Sequence, residues 1–310
     1  MTHTRPLLAG LVLSALAACG GPAEEAAAPA PEADAPAEVT EIADPVIDNA
    51  TLIAGILDAQ EDDNKARFDD RNPAETLAFF GIEPGMTVAE VLPGGGWYSK
   101  ILLPYLGDEG QLIGIDYSVD MWSKFGGFAT PEFLEARETW AETWSADAAE
   151  WRGDGGAEIA AFPFGSRDAA HDGTVDAVLM VRALHHLNRF NTDEKNYMTE
   201  ALGDVTAMLK PGGTLAIVQH RGPEANDDAW ATGDNGYMKE SAVIAMVEGA
   251  GFELVDQSEI NANPLDIPTG DDFVWRLPPT LATSGEDPEL RAEMEAIGET
   301  DRMTLKFRKI

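Results

Sequence analysis

The chain has 310 residues, with 21 Lys and Arg against 55 Asp and Glu, a formal net charge of −34 and a single cysteine. With 44% hydrophobic residues it can bury a core, which excludes wholesale disorder. Its negative charge repels a phosphate backbone and argues against nucleic acid as a partner, and one Cys leaves neither a disulfide framework nor a multi-cysteine zinc site.

Residues 1–19 read MTHTRPLLAGLVLSALAAC. Arg5 supplies a positive start, residues 7–18 form an apolar run too short to span a bilayer comfortably, and Leu16-Ala17-Ala18-Cys19 closes it with small residues. The segment resembles a bacterial lipoprotein signal, and its lipobox matches residue for residue. The resemblance implies removal of residues 1–18 and acylation of Cys19, whose several acyl chains make a durable lipid-membrane anchor. Gly20 is not the Asp that inner-membrane retention wants, which implies the periplasmic face of the outer membrane. The alternative is an ordinary secretory signal. Residues 19–46 are Ala, Pro and Glu with almost nothing large and apolar, and are expected to form an extended, self-repelling tether. Residues 47–310 are left for one α/β domain.

Asn72-Pro73-Ala74-Glu75 offers an N-cap, Pro at the first helical position and an acid at the third, with Gly81 as the stop. An apolar, β-rich run at residues 87–92 leads into Pro93-Gly94-Gly95-Gly96, and WYSKILLPYL then has helical spacing. Residues 112–115 form the next short strand, closed by Asp116. A helix is expected at residues 131–151, with Trp140, Trp144 and Trp151 on one face as core packing. A strand at residues 175–181, a helix at 194–209, the turn Lys210-Pro211-Gly212-Gly213 and a strand at 214–219 follow. Near the end, Met303, Leu305 and Phe307 alternate with Thr304, Lys306 and Arg308 as a half-buried strand should. Strands alternating with helices predict a doubly wound, Rossmann-like, mostly parallel sheet.

In such a sheet the ligand lies outside the carboxyl ends of the strands, at the switch point. Three features converge there: the glycine turn, where backbone can approach a ligand closely, Glu90 at the end of the first strand, and Asp116, 26 positions later, at the end of the second. A carboxylate so placed can accept hydrogen bonds from both ribose hydroxyls of a nucleoside. Dinucleotide and S-adenosylmethionine sites share this geometry. A dinucleotide turn wants Gly or Ala where Ser99 stands, and Trp97 is bulky at the helix start.

The ordered set AEVLPGGGWYSKILLPYL, GIDYS, AFPFG, VDAVLMVRALHHL and LKPGGTLAIVQHR looks like the class I S-adenosylmethionine-dependent methyltransferases. More narrowly, DDRNPAETLAFFGIEPGMTVAEVLPGGGWYSKIL, SEINANP and DRMTLKF resemble a group of exported bacterial predicted methyltransferases, over about residues 60–310. The resemblance implies a seven-stranded sheet with an antiparallel last strand, and S-adenosylmethionine as cofactor. It implies Glu90, Gly94, Gly95 and Gly96 at the first motif, Asp116 on the ribose, Tyr117 and Ser118 beside the adenine, and Phe162-Pro163-Phe164 along the adenine edge. Leu92 departs from the family pattern where its first glycine stands, which narrows backbone freedom at that turn.

Methyl transfer is an in-line displacement, so the protein aligns a nucleophile, excludes water and, for a hydroxyl, amine or thiol acceptor, takes a proton. Arg182, His185 and His186 follow the fourth strand, and His220 and Arg221 follow the fifth. Of these, His220, His185, Arg182 and Arg221 are the candidate catalytic residues. Cations gathered at one rim of so acidic a chain point to a small anionic acceptor. A helix-capping or packing role for His185 or His186 is the bland alternative. No Glu-x-x-His or His-x-x-x-His spacing supports a metal site, and Glu61-Asp62-Asp63 lacks the pattern of a calcium loop. Residues 261–279, with Asp266, Asp271, Asp272 and Trp275, are the expected lid. Two rivals stand beside the methyltransferase: a non-catalytic nucleoside- or small-ligand-binding lipoprotein, to which export away from the cytoplasmic supply of S-adenosylmethionine gives weight, and a nicotinamide-dependent oxidoreductase. The anchor is tested by Cys19→Ala, which should move the protein from the membrane pellet to the soluble fraction; continued sedimentation with membranes refutes it.

Overall fold

The computed structural model describes residues 48–310. The expected signal peptide, Cys19 and the whole of the expected linker, residues 19–46, lie outside the described residues. Four helices lead in: α1 (Asn49–Asp58), α2 (Asp62–Lys65), α3 (Phe68–Arg71) and α4 (Pro73–Phe80). Then come β1 (Thr87–Val91), α5 (Ser99–Leu106), β2 (Gln111–Asp116), α6 (Val119–Trp122), α7 (Pro131–Glu138), α8 (Trp140–Arg152) and β3 (Glu158–Pro163). The second half holds β4 (Val175–Val181), α9 (Leu184–Arg189), α10 (Tyr197–Met208), β5 (Leu209–Gly222), the two-residue β6 (Met238–Lys239), α11 (Glu240–Gly249), β7 (Phe252–Ser258), α12 (Pro288–Ile297) and β8 (Arg302–Lys309). Among these helices none is long and apolar enough to cross a membrane.

The sheet runs β3-β2-β1-β4-β5-β8-β7, with β6 appended to β5. Pairs β1–β2, β1–β4, β2–β3 and β4–β5 are parallel, whereas β8 is antiparallel to both β5 and β7. This is the expected α/β sheet with an antiparallel last strand, and its order reverses between β1 and β4. Period-two alternation sends successive side chains to opposite faces. Ala89, Val91, Ile113, Met180, Leu215, Ile217, Met303 and Leu305 enter one core with α9, α10 and α11. Val88, Leu112, Leu179, Ala216 and Val218 enter the other with α1, α4, α5 and α8.

Several local expectations need adjustment. Asn72 precedes α4 in the left-handed region, φ 41°, and caps nothing with its side chain; its amide donates to the Ile260 carbonyl at 2.8 Å. The predicted helix over residues 131–151 is two helices, broken at Thr139 (φ −111°, ψ 17°). The Lys210–Gly213 turn is drawn into β5, and β3 and β7 complete the two edges. The tryptophan face does pack as core: Trp140 and Trp144 are buried.

Trp144 lies flat on β2 where Gly114 has no side chain. A Cβ there would sit 2.6 Å from the Trp144 ring. Gly114→Ala is therefore expected to lower stability by about 1–3 kcal/mol through overpacking; an unchanged urea midpoint would contradict the packing account.

Candidate functional site

The chain leaves β1 through Leu92 at φ 56° and β4 through Arg182 at φ 57°. Left-handed backbone strains residues with a Cβ, by about 1–2 kcal/mol. The two strained exits flank the β1–β4 boundary where the sheet order reverses. Leu92 thus adopts the conformation that a glycine would take without strain.

Beyond β1 and β2 is a cavity of about 230 Å³ lined by Leu92, Gly94, Asp116, Trp122, Arg137 and Trp140, among others. A Cβ on Gly94 or Gly95 would meet nothing within 4 Å, so this turn faces open space. Gly96 differs. A Cβ there would strike Trp151 at 2.3 Å, so this glycine makes room for the protein's own indole.

Asp116 is 2% exposed. Its Oδ1 accepts the Tyr117 backbone N–H at 2.9 Å, and its Oδ2 accepts Trp122 Nε1 at 3.1 Å and Arg137 Nη1 at 3.2 Å. Burial pushes its carboxyl up to about 6, with these donors opposing the rise. Glu90, which alternates with Ala89 and Val91 along β1, lies on the α5 side of the sheet. It accepts the Ser99 hydroxyl at 2.6 Å, and burial pushes it up to about 7. Ser99, which breaks the dinucleotide pattern, is thus the partner of Glu90.

Three residues expected at the adenine lie elsewhere. Tyr117 is fully buried, its hydroxyl donating to the Ala183 carbonyl at 2.8 Å and its ring packing on Phe125 and His186. Phe164 is buried in the core, its N–H donating to the Asp116 carbonyl. Ser118 precedes α6 without a side-chain capping bond and does not line the cavity. The aromatic walls come instead from Trp122, Phe128, Phe133, Trp140 and Trp144.

The candidates around β4 and β5 also separate. His220 and Arg302 are paired across β5 and β8. Their side chains alternate with Gln219 and Met303, so they project on the α3–α4 side. His220 Nδ1 lies 2.5 Å from Thr300 Oγ1 and its ring 5.3 Å from that of His185; His185 Nδ1 lies 3.3 Å from Gln219 Oε1. Burial lowers His185 to about 4 and His220 well below the ordinary histidine value, so both imidazoles are neutral at pH 7. Arg221 alternates to the opposite side. It donates to Asp301 at 2.8 Å, Glu240 at 3.2 Å and Glu259 at 2.6 Å, and the Glu259 and Asp301 carboxylates raise its pKa. Arg221 is therefore a clamp between β5, α11 and the loop ends and has no place among the acceptor residues. The expected lid covers the histidines: Trp275 stacks on His186 at 6.0 Å, and Asp266 fixes the loop by accepting from Arg276 and Tyr237, both at 2.9 Å.

Residues not anticipated complete the site. Glu299 accepts Arg71 Nε at 3.0 Å and Arg302 Nη1 at 3.1 Å, and the Arg71 guanidinium sits 4.7 Å above the Trp97 ring. Arg71 and Arg302 fall within DDRNP and DRMTLKF, but neither spacing nor periodicity marks them as neighbours. Arg137 carries no sequence signal beyond an ordinary helical charge. Among the described residues no group of three or more His, Cys, Asp or Glu could hold a metal ion.

No family model matches the chain, and no curated protein matches it. Among solved structures, a SAM-dependent methyltransferase from Aquifex aeolicus is similar at 16% identity and TM-score 0.45, covering 83% of this chain and 98% of its own. An N-methyltransferase from Bradyrhizobium japonicum in complex with S-adenosylhomocysteine is similar at 15% identity and TM-score 0.42, covering 84% and 99%. An arsenic(III) S-adenosylmethionine methyltransferase from Chlamydomonas reinhardtii is similar at 17% identity and TM-score 0.43, covering 83% and 72%. All three are likenesses of fold.

Glu90 titrates above its unfolded value, 4.5 against about 7. The folded state therefore holds the extra proton, and its contribution to stability is present below pH 4.5 and lost as pH rises through about 7. Glu90→Gln should flatten this loss, on the order of 2–3 kcal/mol; unfolding curves at pH 5 and 8 that decline equally in both proteins would contradict it.

Proposed function

We propose that the protein transfers a methyl group from S-adenosylmethionine to a small anionic acceptor, at the periplasmic face of the outer membrane, where acylated Cys19 holds it. The observation that carries the reading is Asp116: a buried carboxylate at the end of β2, beside the open Gly94 turn, on the wall of a partly open cavity next to the switch point. When bound, S-adenosylmethionine supplies an electrophilic sulfonium methyl.

The residues present fit a nucleoside. A carboxylate offers about four acceptor positions, and Tyr117, Trp122 and Arg137 use three of those on Asp116. Two ribose hydroxyls need two, so one donor must yield. Arg137 is that donor, because it reaches Asp116 from α7 and its side chain is 24% exposed, whereas the other two donors are set by the chain at β2 and α6. Trp122, Trp140 and Phe133 provide apolar walls for a base. The cavity, about 230 Å³, lies below the 300–1,000 Å³ usual for small-molecule sites; withdrawing Arg137 enlarges it from the exposed side. The acceptor lies across β1, beside Arg182, His185 and His220. There the neutral His220 can take a proton from a hydroxyl or amine acceptor, with Thr300 fixing its ring.

The same three-donor occupation of Asp116 favours a second reading, a protein that holds a nucleoside or similar ligand without transferring methyl. Titration calorimetry of the full chain with S-adenosylmethionine, S-adenosylhomocysteine and NAD separates these. The proposal expects saturable heat with the first two, none with NAD, and about 100-fold weakening in Asp116→Ala. Silence with the first two ligands overturns it, and unaltered binding in Asp116→Ala overturns the site assignment. Binding of S-adenosylmethionine without turnover against a panel of anionic acceptors supports the second reading.

A further inference from the structure

The carboxyl ends of β4 and β5 carry charge that no catalytic step above uses. Arg71 is 4% and Arg302 is 2% exposed, and Arg182, half-buried, stands beside them. Burying guanidinium groups is costly unless each is paired and hydrogen-bonded. The pairing here is incomplete. Glu299 serves Arg71, Arg302 and, at 3.6 Å, the more exposed Arg67. Asp70 is the other nearby acid, and its backbone carbonyl accepts Arg302 Nη2 at 2.5 Å. Four arginines thus face two carboxylates, an excess of two positive charges within a chain of net charge −34.

The excess centres on Arg182. Its guanidinium makes no ion pair or hydrogen bond among the described residues, its Nε is buried without a partner, and the Arg302 Nε is likewise buried and unpartnered. Desolvation and the neighbouring Arg71 and Arg302 lower Arg182 to about 9, Glu299 opposing. Arg182 is also held at φ 57°, so backbone strain aims a charged side chain into an already cationic recess. Around it stand the neutral His220 and Tyr98, 5% exposed. Unused guanidinium donors in a half-buried recess are chemistry suited to an oxyanion, since the guanidinium fork matches carboxylate and phosphate geometry.

We propose that Arg182 and Arg302, backed by Arg71 and Glu299, form an oxyanion-binding site that anchors the acceptor through a carboxylate or phosphate group. This deepens the methyltransferase reading by naming the handle on its acceptor, and the handle sits across β1 from Asp116.

The test needs no nucleoside. Thermal unfolding of the full chain is followed while inorganic phosphate or acetate is titrated in at ionic strength held constant with sodium chloride. A saturable rise in melting temperature with either anion is expected; the more effective one identifies the handle as phosphate or carboxylate. Arg182→Gln should weaken that response about tenfold or more. It should also leave the anion-free melting temperature equal or higher, because it removes an uncompensated charge, and Arg182→Lys should retain part of the response. No saturable rise with either anion, or the same rise in Arg182→Gln, overturns the site. A drop in the anion-free melting temperature of Arg182→Gln with the anion response intact shows a structural role and overturns it too. Failure to bind S-adenosylmethionine in the calorimetry would leave this result unaffected.

Discussion

Strand β8 runs against β5 and β7, and so carries Glu299, Thr300 and Asp301 back across the carboxyl ends of its neighbours before the strand begins at Arg302. Most of the functional end of the sheet depends on that reversal. Thr300 reaches His220, Glu299 gathers Arg71 and Arg302, and Asp301 takes one side of Arg221. A parallel last strand would begin at the opposite end of the sheet, beside the amino end of β5, and leave these contacts unmade. The early helices are tied to the same point: Arg302 donates to the Asp70 carbonyl, and Asn261 donates to Thr76 and Thr304 at 3.0 and 3.1 Å.

Two chemically different recesses follow from the order of the strands. Over β1 and β2 the surroundings are aromatic, with Asp116 as their anionic group of greatest burial. Over β4, β5 and β8 they are cationic and histidine-rich, with Glu299 as an internal counterion. The reversal between β1 and β4 sets these environments side by side, and the left-handed exits at Leu92 and Arg182 shape both. In the proposed reaction a cationic sulfonium compound belongs to the first and an anionic acceptor to the second, so the difference in charge orients the two reactants.

The parallel strands β1, β2, β4 and β5, the glycine turn and Asp116 were legible because hydrophobic runs, turn chemistry and a strand-terminal acid are local signals. Strand β7 was not, since as an edge strand it exposes Glu253, Val255, Asp256 and Gln257 and lacks a clean apolar run. The roles of Tyr117, Phe164 and Arg221 escaped for a different reason. Tyr117 and Arg221 are adjacent in sequence to Asp116 and His220, but alternation or turn geometry sends their side chains elsewhere, and Phe164, hydrogen-bonded through its backbone to Asp116, turns its ring into the core. Arg71, Glu299 and Arg302 come together only in three dimensions, over more than two hundred residues of chain. The rise of net charge to a local positive excess is visible only once they meet.

The central claim is that Asp116 receives the ribose of an S-adenosyl ligand. A crystal structure of the full chain grown with S-adenosylhomocysteine tests it most directly. The account predicts both ribose hydroxyls within hydrogen-bond distance of the Asp116 carboxylate, Arg137 withdrawn, and the ligand's sulfur directed across β1 toward Arg182 and His220. Ligand density away from Asp116, or density at the cavity with the Asp116–Arg137 pair intact, would contradict it.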